Sequence, residues 1–367
     1  MLERNTYLFV GGGTAGHVNP AIAVVQACEK LASAEYVFLV NQGGIEEVLV
    51  PKAGYRTEQI KAAPLASINP ITWFRFLHRN LVGYLRARKV IKRLRPRAVL
   101  ATGGYVGSPV LLACKHLKIP FVLHEQNAYP GRSNRLFAKD AECVCLSFDE
   151  SRKYLNKQSK FYLTGNPVKS QFFTVDSREA RRELKISDDT FIVLLLGGSL
   201  GAQSINQAVI DLLKMPEWQS YTKEHKIQIV LATGKKSFAD VSEQFSAAQG
   251  VVVEAYLDTT QWLPACDCFI GRAGASSCVE LCAVGKPGLL IPYPHAANNH
   301  QYFNAKVLAD QGACEICKDE DLTGEILFDF ITTMHGQPER AHVMSQSAKK
   351  LADPEAAEKI AGVLLKL

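Results

Sequence analysis

No stretch of the sequence approaches the roughly 20 consecutive apolar residues of a membrane-spanning helix, so nothing in it reads as a transmembrane segment. Near its start only Tyr7-Leu8-Phe9-Val10 is apolar before glycines intervene, too short for the hydrophobic region of a secretory signal. A cytoplasmic location is expected. Low-complexity tracts and short-period repeats are absent as well. Acidic residues are missing from one long segment: between Glu58 and Glu125 there is no Asp or Glu, while twelve Lys and Arg occur there. Net charge is only +6 overall, so the rest of the chain is mildly acidic. One segment is thus a cationic patch suited to an anionic surface, and no nucleic-acid partner is expected.

Metal and disulfide patterns are also wanting. Of ten cysteines only Cys314-x-x-Cys317 has ligand-like spacing, and no second pair or nearby His completes a tetrahedral set. The expectation is no metal, no disulfide and no cofactor, with the thiols reduced, buried and acting as small apolar residues.

What is present is enough chain for two cores: 367 residues favour two domains, and 47% hydrophobic with 21% charged residues is a globular composition. Two stretches share one grammar. Thr6–Val10 runs into Gly11-Gly-Gly-Thr-Ala-Gly16 and a helical pattern to about Leu31; Phe191–Leu196 runs into Gly197-Gly-Ser-Leu-Gly201 and a helical pattern from about Gln203 to Leu213. Apolar runs bounded by glycine fit strands buried on both faces of a parallel sheet, so each stretch reads as the first βα unit of a doubly wound domain. Further β runs at Tyr36–Val40, Ala98–Ala101, Phe121–His124, Ile227–Ala232, Cys268–Ile270 and Gly288–Ile291 continue the alternation. A linker is expected near Thr164–Val168, a charged helix at Ser177–Leu184, and a last helix capped by Asp353 with Pro354 at its first position.

Each glycine loop has more than one reading. Gly11-x-Gly13-x-x-Gly16 matches the dinucleotide fingerprint, but the end of the second strand reads Val40-Asn41-Gln42-Gly43, without the acid that holds a nicotinamide ribose. Gly197-x-Ser199-x-Gly201 has the form of a hydrolase nucleophile elbow, with Asp258, Asp267, His295 and His300 downstream as partners. The same loop, before a helix N-terminus, is equally a phosphate cradle. Two phosphate-type loops suit a ligand held between two domains better than a hydrolase. Four polar islands point the same way: Gly103–Ser108, His124–Asn127 and His295–Gln301 each follow a strand, where ligands meet the carboxyl edge of a sheet, and Gly274–Glu280 opens a helix whose N-terminus can take an anion.

The stretches Gly12–Pro20, Gly44-x-Glu46 with Pro51-x-x-Gly54, Gly103-Gly-Tyr105, His124–Asn127, Gly165–Val168, Gly197–Ala202, Gly274–Glu280 and His300-Gln301-x-x-Asn304-Ala305 together resemble the MurG family of bacterial glycosyltransferases. That family adds N-acetylglucosamine (GlcNAc) to lipid I, the undecaprenyl-pyrophosphoryl-MurNAc-pentapeptide, to make lipid II in peptidoglycan synthesis. The resemblance spans nearly the whole chain. It implies an α/β GT-B fold, with two Rossmann-like domains whose parallel sheets face across a cleft. An acceptor- and membrane-facing domain would cover 1–166, with a C-terminal helix at about 345–367 packing back on it, and a UDP-GlcNAc-binding domain would cover 167–344.

Carried over position by position, Glu280 would hold the ribose hydroxyls and the backbone around Leu257 the uracil. Ser199 with Ala275, Ser276, Ser277 and Cys278 would hold the diphosphate, with Val279 in the same run. Gln301 and Asn127 would contact the GlcNAc hydroxyls, and Thr14, Ala15 and Gly16 would close over sugar and phosphates. The family often has Gly where Ala15 stands and Arg where Lys169 stands; the lysine keeps the charge near the diphosphate but loses the bidentate fork.

Inverting sugar transfer needs a base for the acceptor's C4 hydroxyl and a positive field for the departing diphosphate. His17 is the candidate base and Glu125 its competitor, with helix N-termini and Lys169 supplying the field in place of a metal. The basic segment is expected to dock the enzyme peripherally on the anionic cytoplasmic face of the inner membrane, on phospholipid and lipid I. Arg75, Arg79, Arg86, Lys89 and Arg93 share one helix face beside Ile71, Trp73, Phe74, Phe76 and Leu77, while Leu81 and Leu85 are expected in the core. The resemblance also implies a place in cell-wall biogenesis, cell shape and division, with no protein partner named by any motif. Rival readings are another GT-B glycolipid glycosyltransferase, a nicotinamide oxidoreductase, a serine hydrolase around Ser199, and a non-catalytic anionic-lipid-binding protein.

Overall fold

In the computed structural model residues 5–64, 69–198, 201–245 and 250–367 are described, Pro70 and Ile71 by their backbone alone. The chain forms two compact units, one of residues 1–168 with 353–367 and one of residues 169–352. Each is built on its own parallel sheet, the α/β architecture of the GT-B class.

In the first unit the strands are β1 (Thr6–Val10), β2 (Glu35–Asn41), β3 (Arg56–Ile60), β4 (Ala98–Ala101), β5 (Phe121–Glu125), β6 (Cys143–Leu146) and β7 (Phe161–Leu163). They lie in the order β3-β2-β1-β4-β5-β6-β7. Both faces are covered, which is why β1 is apolar from Tyr7 to Val10. Leu8 and Val10 pack into one layer with Val37, Leu39 and Val110, while Tyr7 and Phe9 pack into the other with Val18, Val25 and Phe38. Strand order reverses between β1 and β4, so the loops leaving their carboxyl ends flank the position where such sheets take ligands.

The second unit contains β8 (Phe191–Leu196), β9 (Ile227–Ala232), β10 (Val251–Glu254), β11 (Cys268–Gly271), β12 (Gly288–Leu290) and β13 (Glu315–Ile316), ordered β10-β9-β8-β11-β12-β13. Val193, Leu195, Ile229 and Leu231 make one core layer with Ile205, Val209 and Leu327. Here the order reverses between β8 and β11, between the second glycine loop and Gly274.

The chain returns to the first unit at Asp353 rather than near 345. The helix Pro338–Lys349 stays with the second unit, where Ser345 donates a hydrogen bond to the Gly285 carbonyl. The helix Ala356–Leu364 places Ile360, Ala361 and Leu364 in the layer that holds Val18 and Val25. Its start also differs from expectation. Asp353 accepts the Glu355 N–H (2.9 Å) in a turn, and the helix begins at Ala356. All ten cysteines are buried.

Candidate functional site

Three loops meet at the carboxyl edge of the first sheet. Leaving β1, Gly11–Gly13 leads to Thr14, whose carbonyl accepts the His17 N–H (3.1 Å) at the start of the helix Ala15–Leu31. Behind the loop lies Glu46, a fully buried carboxylate. Gly13 N–H donates to its Oε2 (3.1 Å) and Asn41 N–H to its Oε1 (3.2 Å). A Cβ on Gly12 would collide with this carboxylate, so the loop must be glycine to wrap it. Asn41, where a nicotinamide enzyme needs an acid, accepts the Ala62 N–H (2.8 Å) and donates to the Tyr105 hydroxyl (3.3 Å). Burial raises the Tyr105 pKa and the Glu46 charge adds to it, against the Asn41 hydrogen bond and Arg79.

His17 Nδ1 lies 2.7 Å from Gln126 Oε1, and Thr102 Oγ1 donates to the His17 carbonyl (2.6 Å). The two candidate bases therefore differ in what their polar atoms are doing. Both Glu125 oxygens are committed: Oε1 accepts from Asn127 N (2.9 Å) and Nδ2 (3.3 Å), and Oε2 from Gly131 N (2.9 Å) and Asn134 Nδ2 (2.8 Å). That carboxylate shapes the turn carrying Gln126 and Asn127. His124 is fully buried, with Nε2 donating toward the Gly165 carbonyl (3.2 Å). Burial lowers its pKa to about 4.

In the second unit Ser199 lies outside the described residues. Among the residues flanking it, Gly201 N–H donates to the Gly198 carbonyl (3.0 Å), and the helix Gln203–Lys214 follows. Leu257 is buried, and Asp258 caps the next helix by accepting from Thr260 N (3.0 Å) and Oγ1 (2.7 Å). Gly274 precedes the helix Ala275–Val284. Its first-turn residues Ala275, Ser276 and Ser277 keep partial exposure, whereas Cys278 and Val279 turn inward and pack in the core. Cys278 N–H already donates to the Gly274 carbonyl (2.9 Å), so an anion at this N-terminus would have to be met by N–H groups at 275–277. Neither Cys278 nor Val279 presents its side chain to a ligand.

Glu280, one turn on, is enclosed on most sides, and burial pushes its pKa up to about 7, against the pull of Lys169. The same lysine acts on Asp258: burial works upward there, but the Thr260 hydrogen bonds and Lys169 leave the carboxyl below its usual range. Lys169, Asp258 and Glu280 thus share one neighbourhood. Gln301, in the helix His300–Asp310, has Oε1 accepting the Tyr293 N–H (2.9 Å).

The chain does contain one Asp-x-Asp triplet, Asp319-Glu320-Asp321, which the metal-free reading of the sequence passes over. Asp319 is committed to Arg272 and accepts from Ser204 Oγ (2.6 Å). Among the described residues no group of three or more His, Cys, Asp or Glu is arranged to hold a metal ion. The hydrolase reading loses a partner as well, since Asp267 pairs with Arg181 (2.5 Å) and accepts Ile192 N–H (2.7 Å) at the start of β8, the far end from Gly197.

The basic segment is a single helix, Pro70–Leu94. Phe74, Leu81 and Leu85 are 71%, 57% and 54% exposed, and Trp73 and Leu77 are exposed beside them. Leu81 and Leu85 are therefore surface residues, contrary to expectation. Ala87, Val90 and Ile91 supply the core contact instead, and the helix turns its other apolar stripe outward. Phe76 is half-buried against Trp73, 6.2 Å between ring centroids. Arg93 pairs with Glu58 (2.7 Å), while among the described residues Arg75, Arg79 and Arg86 form no ion pair. No described helix is long and apolar enough to cross a membrane.

Sequence reasoning missed the parts played by Glu46 and Gln126. Their signals were their positions, inside Gly44-x-Glu46 and inside the island His124–Asn127.

The glycosyltransferase family 28 N-terminal domain matches residues 7–146 and its C-terminal domain residues 192–360. A UDP-N-acetylglucosamine--N-acetylmuramyl-(pentapeptide) pyrophosphoryl-undecaprenol N-acetylglucosamine transferase of Caldicellulosiruptor saccharolyticus is 36% identical over 358 residues, covering 96% of this chain and 95% of the relative. One from Desulfitobacterium hafniense is 35% identical, covering 98% of each. The crystal structure of Acinetobacter baumannii MurG superposes with a TM-score of 0.77 at 26% identity, over 99% of this chain and all of the other. Two matched domains in sequence order, relatives aligned nearly end to end and a solved MurG of the same architecture agree: the chain belongs to glycosyltransferase family 28 and, within it, to the MurG family.

Proposed function

We infer that the chain transfers GlcNAc from UDP-GlcNAc to the C4 hydroxyl of the N-acetylmuramyl residue of lipid I, with inversion, making lipid II. The observation that carries this reading is near-full-length identity of 36% to a transferase named for that reaction. In the proposed chemistry His17 takes the proton of the C4 hydroxyl as its oxygen attacks the anomeric carbon, and UDP leaves with the bonding pair. Glu125 is the weaker base candidate, because both of its oxygens already accept backbone and amide hydrogen bonds.

On the donor side the proposal gives the ribose hydroxyls to Glu280, the uracil to backbone around Leu257, and a GlcNAc hydroxyl to Gln301. The leaving diphosphate is stabilised by Lys169, by Ser199 and by the first-turn N–H groups at 275–277, fixed dipoles that need no reorganisation during reaction. The proximity of Lys169 to Glu280 and Asp258 supports a cationic contribution at this place.

The proposal extends to location. The exposed apolar row from Trp73 to Leu85, flanked by Arg75, Arg79 and Arg86, suits peripheral docking on an anionic inner leaflet, where a lipid-linked acceptor resides. The test is turnover: UDP should be released from UDP-GlcNAc when a lipid I analogue is present and not in its absence. Release indifferent to the acceptor would overturn the assignment.

A further inference from the structure

We propose that Gln126 sets the tautomer of His17: its amide oxygen takes the Nδ1 proton, which leaves the ring's lone pair on Nε2 to receive the acceptor's hydroxyl proton. The inference rests on the reading of His17 as the base and names the residue that orients it.

The first observation is the 2.7 Å separation of His17 Nδ1 and Gln126 Oε1. An amide oxygen can only accept, so this contact requires a proton on Nδ1. In a neutral imidazole the other nitrogen is then the base. The second is the frame around the pair. Gln126 is buried in a turn whose ends are tied by the Glu125 carboxylate to Asn127 N and Gly131 N. Facing it, the His17 backbone is held by Thr102 Oγ1. Gly103, at φ +98°, leaves room for the ring, since a Cβ there would stand 3.1 Å from Nδ1. Neither partner has freedom to drift.

A third observation separates this role from simple packing. Gln126 Nε2 is buried with no hydrogen-bond partner among the described residues. An apolar side chain of similar size would fill the space without stranding a donor, so the amide is explained by what its oxygen does. The choice of amide over acid has a consequence too. A carboxylate facing Nδ1 would raise the ring's pKa and favour the imidazolium, whereas a neutral oxygen orients the ring without that shift. His124, the titratable neighbour whose charge is felt with that of His17, stays neutral above about pH 4 because it is buried. Glu125 is tied into its turn.

The experiment uses full-length protein labelled with ¹⁵N-histidine, and a long-range ¹H–¹⁵N correlation spectrum with His17→Ala to assign the ring. The Nδ1–H pattern is expected; an Nε2–H pattern, as a reversed amide would produce, overturns the proposal. In parallel, Gln126→Glu should move the acid limb of the pH–kcat profile upward by about one unit or more. Gln126→Leu should lower kcat about tenfold or more while KM for UDP-GlcNAc stays within about twofold. Neither Gln126 variant should alter the residual rate of His17→Ala further. If His17→Ala is crippled but Gln126→Glu leaves the acid limb in place, Gln126 is not the orienting residue and the base assignment survives. If His17→Ala turns over normally, the base assignment itself falls.

Discussion

The Glu46 carboxylate accepts the backbone N–H of Gly13 through one oxygen and that of Asn41 through the other, tying the carboxyl ends of neighbouring strands β1 and β2 to a single buried charge. A loop whose sequence spells an anion cradle therefore already holds an anion of its own, supplied by the protein. Glu46→Gln turns one acceptor into a donor facing an N–H group. We expect a loss of about 1–3 kcal/mol of stability, read by urea unfolding, together with reduced turnover. Unchanged stability would show that the carboxylate is not holding the loop.

Glu280 gives a pH signature of known sign. Its folded pKa, about 7, lies above its ordinary 4.5, so between those values the folded chain keeps a proton the unfolded chain has lost, and stability falls as pH rises through that window. Ribose hydroxyls donate to the charged form, so UDP should bind more tightly, with proton release, as pH rises through 7. Calorimetry in two buffers of different ionisation enthalpy checks this. Glu280→Ala should weaken UDP by roughly 1–3 kcal/mol and abolish the proton release.

His17→Ala should lower turnover by roughly 10²–10⁴ with little change in donor affinity. The informative partner is Glu125→Gln, which disturbs the turn at 125–131. Its damage should appear in thermal stability as well as in rate, and a variant of normal stability but no activity would restore Glu125 as the base.

Activity should survive chelation, because Lys169 and helix dipoles are assigned the diphosphate. Complete loss in EDTA with recovery on adding magnesium would reject that mechanism.

Vesicle binding separates the two faces of the helix Pro70–Leu94. Each basic residue near an anionic surface is worth about 1 kcal/mol and is screened by salt. Charge reversal at Arg75, Arg79 and Arg86 should release the protein from anionic vesicles, and Phe74→Ser with Leu81→Ser should do so with a weaker salt dependence. UDP affinity should be unaffected in both. A wild type that ignores anionic vesicles at low salt would show that this helix is not a membrane face.

The central strands were legible because burial on both faces makes them continuously apolar. Phe191–Leu196 and Tyr36–Val40 cannot be mistaken for loops. The edges were not: β3 reads Arg-Thr-Glu-Gln-Ile and β13 is two residues long, so neither carries the core's pattern; the inner strand β6, Cys-Val-Cys-Leu, was passed over although it is short, apolar and buried throughout. Helical spacing placed the charges of Pro70–Leu94 on one face, but it cannot tell an inward apolar stripe from an outward one, and Leu81 and Leu85 were misassigned for that reason. The glycine loops and polar islands do lie after strands, at the carboxyl edges of the two sheets, the place where parallel sheets take ligands. Pairings such as His17 with Gln126, 109 residues apart, exist only once the sheet is formed.

The helix Ala356–Leu364 also orders events during synthesis. On the ribosome all seven strands of the first sheet are made before the second unit begins, yet the face of the helix Ala15–Leu31 that Ile360 and Leu364 cover stays wet until residues 353–367 follow. The half made first is thus the half completed last. Any chain interrupted within the second unit carries an unsealed apolar seam on the first, a surface on which quality control can act.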